Sequence, residues 1–196
     1  MTKQVLFIHS GGTQGIRQGS SYLVTYLRTM LGSDYHVLSP DMPEPEHPEY
    51  RHWKNELDRD MALLRNDVIL VGHSLGGSVL LKYLSEHPFP KPIAGLFIVA
   101  APFWGLEHWD VDEYCLLDDF QQYLPPMNRI VLYHSRDDSV VPFSHLKTYA
   151  AKLPWATIRE TRGQHLFLHG LPELITDIKT IPHSGSAWTN LASGSR

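Results

Sequence analysis

A single cysteine, Cys115, in 196 residues leaves the chain without an internal disulfide and without any sign of an oxidising compartment. No apolar run approaches bilayer-spanning length, and the N-terminal "VLFI" meets a glycine loop too soon to be the core of a signal peptide. Charge is sparse and nearly balanced, 17 Lys and Arg against 21 Asp and Glu, so nothing in it attracts nucleic acid or an anionic membrane. The chain has twelve histidines, but no H-x-x-x-H or H-E-x-x-H pair falls on a helical pattern, which argues against zinc. The loop "GGTQG" is not G-x-G-x-x-G, and no acidic residue closes the second strand, so a dinucleotide reading is weak. No internal repeat is present. These absences predict a soluble, cytoplasmic protein that needs no metal or organic cofactor.

The length suits one well-buried core. Six apolar, β-branched-rich runs read as strands, at 4–9, 35–39, 67–72, 93–100, 129–134 and 156–160. The first, third, fourth and fifth lack polar alternation, as expected of strands covered on both faces. Helical patterns lie between them: Ser20 to Leu31, Glu49 to Arg65 with Trp53, Leu57, Met61 and Leu64 on one stripe, Leu75 to Glu86, Ser144 to Leu153, and about Leu171 to Thr180. Strand alternating with helix predicts a three-layer αβα sandwich on a mainly parallel six-stranded sheet. A single domain is expected over 1–182, with a lid-like excursion at about 101–128 and a flexible tail at 183–196.

The stretch "VGHSLGG", Val71 to Gly77, sits where the third strand meets a helix. Ser74 there could be an ordinary helix cap. Gly72-His73-Ser74-Leu75-Gly76 also matches G-x-S-x-G, the turn in which a strained serine is pushed into the open and side chains at either glycine would collide. Such a serine needs a base to take its proton and a carboxylate to orient the base. Two loops after strand ends offer them: "SRDDSVVP", with Asp137 and Asp138, and "TRGQHLFLH", with His165 and His169. The chain order Ser, Asp, His is the one found with such elbows. One oxyanion donor is expected from the Leu75 N–H, at the start of the helix, and the other from "HSGGTQG" after the first strand.

Taken together, G-H-S-L-G-G, D-S-V-V-P after a strand and G-Q-H after the next resemble the α/β-hydrolase superfamily over nearly the whole chain. The small size is similar to compact serine hydrolases related to retinoblastoma-binding protein 9. The resemblance implies Ser74 as nucleophile, Asp138 as the acid of D-x-x-V-P and His165 as the base of G-x-H. Members commonly carry His-Gly before the oxyanion glycines where this chain has His9-Ser10, and Gly11, then Gly12, is taken as the second donor. Gly12, Trp53, Phe103, Trp104 and Trp109 are expected to line the substrate pocket. The implied chemistry is hydrolysis of small neutral carboxylic esters, with amides, lactones or thioesters behind them. A binding protein on the same fold is the rival reading, and a damaged triad would be its mark.

Overall fold

The computed structural model describes residues 2–106 and 108–182. The tail expected at 183–196 lies outside them. Six strands, β1 (Lys3–Ile8), β2 (Tyr35–Leu38), β3 (Val68–His73), β4 (Ile93–Val99), β5 (Ile130–Ser135) and β6 (Thr157–Thr161), form one sheet in the order β2-β1-β3-β4-β5-β6. Every pairing is parallel. The predicted fold class therefore holds, and the sheet is parallel throughout where only a mainly parallel one was expected. The connecting helices are α1 (Ser21–Leu31), α2 (Tyr50–Leu63), α3 (Leu75–Glu86), α4 (Ser144–Lys152) and α5 (Pro172–Lys179).

The missing alternation has its cause in two cores. Leu6, Ile8, Val68, Leu70, Leu96, Ile98 and Leu132 point to one face, against α2, α3 and α4. Their neighbours Val5, Phe7, Ile69, Val71, Phe97, Val99 and Val131 point to the other, against α1 and α5. Both faces of the central strands are dry, so consecutive positions are apolar. Each strand is displaced by a single residue at one or both ends from its expected bounds. The third strand continues through His73, which pairs with Val99, and the fifth starts at Ile130, leaving Arg129 free to reach Asp177 with its guanidinium at 3.5 Å.

The excursion over 101–128 is tied down at several points. The Tyr114 hydroxyl donates to the Pro48 carbonyl at 2.6 Å, the Lys82 ammonium to the Cys115 carbonyl at 2.7 Å, and the Tyr149 hydroxyl to the Pro102 carbonyl at 2.8 Å. Tyr114 and Phe120 are buried in the α3 face of the core. Among the described residues no helix is long and apolar enough to cross a membrane.

Candidate active site

All six strands run the same way, so the loops that follow β1, β3, β4, β5 and β6 meet at one edge of the sheet. The turn after β3 is the tightest of them. Ser74 has φ 53° and ψ −123°, and its N–H donates to the Val99 carbonyl at 2.8 Å. A Cβ on Gly72 would lie 2.6 Å from Gly77 Cα, and one on Gly76 would run into the Ile8 and His9 carbonyls. Only glycine fits either place, and the crossing pins α3 directly against the end of β1.

The edge brings Ser74, His165 and Asp138 together. Ser74 Oγ is 3.0 Å from His165 Nε2, and His165 Nδ1 is 2.8 Å from Asp138 Oδ2. A carboxylate can only accept, so Nδ1 carries a proton, and in the neutral tautomer this leaves Nε2 bare toward the serine hydroxyl. Asp138 has a fully buried side chain, and its Oδ1 accepts the Val140 and Val141 N–H groups at 2.8 and 2.9 Å. Burial opposes its charge, but hydrogen bonds from His134 and His165 outweigh burial and hold the carboxyl well below the usual range. An ionised acid, an imidazole held by it and a hydroxyl on a strained turn are the parts by which a proton can leave serine as it attacks a carbonyl.

The alternatives at each loop fall elsewhere. Asp137 Oδ1 accepts from the Ser135 hydroxyl and from the Gly163 and Gln164 N–H groups at 3.3 Å, so it buckles the base loop to the end of β5. His169 opens into a separate groove of about 750 Å³ beside His9, Tyr26 and Asp41, on the far side of the 13–19 loop. That groove is larger than the space at Ser74 but holds none of the three residues, so we place the chemistry in the smaller one.

The pocket at Ser74 measures about 560 Å³. Gly11 and Leu75 lie on its wall, and a Cβ on Gly11 would stand 3.2 Å from Leu75 Cδ2. Among the described residues neither the Gly11 nor the Leu75 N–H is bonded to another group. The Gly12 N–H is taken by the Pro45 carbonyl at 2.6 Å, which removes Gly12 as a donor, and Gly12 does not line the pocket. Trp104, Trp109 and Tyr114 form an aromatic wall, with the Trp104 ring 5.3 Å from Trp109 and 4.9 Å from Tyr114. Two further pocket expectations are corrected. Trp53 is fully buried in the core with its indole N–H on the Pro43 carbonyl, because its helix stripe faces the sheet. Phe103 packs edge-on against Tyr149 behind the pocket, its N–H donating to His145 Nδ1 at 2.8 Å.

Sequence reasoning missed His134 and the role of Asp137, and took His73 only as a surface or structural residue. His134 Nε2 donates to the Val141 carbonyl at 2.8 Å and stands 3.4 Å from Asp138 Oδ2, a second imidazole against the acid. The i,i+4 spacing in "HSRDD" carries no helical meaning on a strand end, so no local signal marked it. His73 is fully buried, and burial pushes it down to about 3. An unfolded histidine titrates near 6.5, so between these values the unfolded chain holds a proton that the folded one refuses. Stability is therefore lost as pH falls through that window. His9 and His145, also lowered by burial, add in the same direction. Denaturant titrations at pH 7 and 5 should differ by on the order of 2 kcal/mol from His73 alone, and a slope unchanged in His73→Gln would contradict this.

The whole arrangement has relatives. Residues 5–192 match the alpha/beta hydrolase family. YdeN of Bacillus subtilis (strain 168), a hydrolase by name, is 27% identical over 169 residues, 84% of this chain and 86% of its own. The crystal structure of the B. subtilis ydeN product superposes with a TM-score of 0.76 at 24% identity, covering 92% of this chain and 98% of that one. Est1E from Butyrivibrio proteoclasticus superposes at 0.66 and 16% identity over 91% and 86%. A serine hydrolase of carbazole degradation, CarC, does so at 0.65 and 14% over 90% and 89%. With an elbow serine at the end of β3 and a match over nearly its full length, the chain belongs to the alpha/beta hydrolase family.

Proposed function

We propose that this hydrolase cleaves small neutral carboxylic esters through an acyl-enzyme on Ser74. The observation that carries the reading is the unbroken line from Ser74 Oγ to His165 Nε2 and from His165 Nδ1 to Asp138. In this reading His165 takes the serine proton as Ser74 attacks the carbonyl, and passes it to the leaving alcohol. Water then repeats the step in reverse, and the Gly11 and Leu75 N–H groups face the oxyanion in both halves. Each of these roles is met by the chain itself, so the cycle calls on no cofactor. The test is a fluorophosphonate probe followed by peptide mapping. Covalent label on Ser74 supports the reading, and an unlabelled Ser74 overturns it.

The aromatic wall and the acidic rim set the substrate preference. Trp104, Trp109 and Tyr114 offer an apolar surface for an acyl or alcohol group. Asp110, Asp112, Glu113 and Asp118 are exposed along the same excursion, with Lys152 beside Asp118 at 3.5 Å. Their field repels anionic substrates. A neutral p-nitrophenyl ester should show a higher kcat/KM than the matching acyl-CoA at low ionic strength, and the gap should close as salt rises. A preference for the acyl-CoA under those conditions would remove the excursion from substrate selection.

A further inference from the structure

Beneath the pocket a line of buried polar groups crosses from the loop that holds His165 to the loop that holds Gly11. It begins at the His165 backbone carbonyl, 2.8 Å from His73 Nε2. A carbonyl only accepts, so Nε2 carries the proton, and a buried neutral imidazole then has a bare Nδ1. The Ser20 hydroxyl, 2.8 Å away, donates to it. With that proton committed, the 3.0 Å contact between the Ser20 and Ser10 hydroxyls takes its proton from Ser10. The Ser10 N–H donates to the same Ser20 oxygen at 2.8 Å. Gln14 fixes the far end, donating to the Ser10 carbonyl at 3.3 Å while its own carbonyl accepts the Met42 N–H at 2.8 Å. Ser10, Ser20 and His73 are 5%, 1% and 0% exposed.

We infer that His73 and Ser20 are positioning residues, forming with Ser10 a relay that sets the spacing between the oxyanion cradle and the base. The inference rests on the hydrolase reading above. The donor loop, the elbow and the base loop come from three strand ends, and the Gly76 crossing pins only the first two to each other. The relay joins the first of these to the third through the second, because His73 is itself the residue before the nucleophile. Its two inner members are saturated: Ser20 Oγ donates once and accepts twice, and both nitrogens of His73 are bonded. A fully satisfied buried network rigidifies what it connects, and a displacement of about 1 Å at a reacting centre costs roughly 100-fold in rate. Ser10 supplies the hydroxyl that ends the relay on the cradle.

Ser20→Thr and Ser20→Val test this, because the two side chains share a shape and differ only in the hydroxyl. The readouts are kcat and KM on a neutral p-nitrophenyl ester, the fluorophosphonate labelling rate at Ser74, and the melting temperature. Expected is a Val variant slower than the Thr variant by about 10- to 100-fold in kcat and in labelling, with KM little changed. Ser10→Ala, which keeps the backbone donor and so keeps the loop in place, should fall in kcat by a smaller factor. Combined with Ser20→Val it should add little, since both break one chain. Equal rates for Thr and Val alongside a lower melting temperature for Val would make the network a fold stabiliser only and overturn the inference. Should Ser20→Val fail to fold, an unchanged kcat in Ser10→Ala would overturn it equally. A wild-type Ser74 that takes no label would instead overturn the hydrolase reading, and this inference with it.

Discussion

Ser74→Ala is expected to lose nearly all ester turnover while folding as the wild type does. Members of such a triad act as a unit, and removing the nucleophile costs roughly 10⁶-fold in kcat, about 8 kcal/mol of transition-state stabilisation. The fold has no need of the hydroxyl. What fixes the elbow is the Ser74 N–H on Val99 and the bare glycines on either side, none of which the substitution touches. The variant should melt close to the wild type, keep the aromatic pocket and bind a neutral product analogue. Initial rates beside a circular-dichroism melt decide the matter. An alanine variant with more than a small fraction of wild-type turnover would move the nucleophile away from Ser74.

Asp138→Asn should cost on the order of 10⁴ in kcat, because an amide donor facing His165 Nδ1 favours the wrong imidazole tautomer and places the proton against Ser74. The same amide would also stand donor to donor against the His134 N–H, which keeps its acceptor in the Val141 carbonyl. Asp137→Asn should do much less. Its Oδ1 would still accept from Ser135, Gly163 and Gln164, since an asparagine keeps that atom. The companion pair is His165→Ala against His169→Ala, where only the first removes a neighbour of Ser74. Equal losses within either pair, measured as kcat on one ester, would reassign that member.

Why some of this was legible in the chain and some not has a physical answer. The strands were read within a residue or so, because burial on both faces leaves an uninterrupted apolar run that no loop imitates. The elbow was readable because its steric demand is local, carried by two glycines within five residues between a strand and a helix. Gly12 was harder, since a donor's fate depends on a carbonyl 33 positions away, at Pro45. Trp53 was assigned to the pocket, but a helix stripe reports only that a face is covered, and here the sheet covers it. Phe103 failed for the related reason that an aromatic cluster does not say which of its rings turn toward the cavity. The His134 contact and the Ser10-Ser20-His73 relay join residues that no spacing relates.

The three residues of the site hang from strands of unequal depth. Ser74 follows β3, flanked by β1 and β4, whereas His165 follows β6, which has a partner on one side only and is half exposed along its length. An outermost strand opens at lower free energy than an inner one. On warming, Ser74 and the Gly11 loop are therefore expected to outlast His165, and on refolding to precede it. Turnover should vanish before the tertiary signal does, and return after it, so the edge strand acts as the clutch of the enzyme.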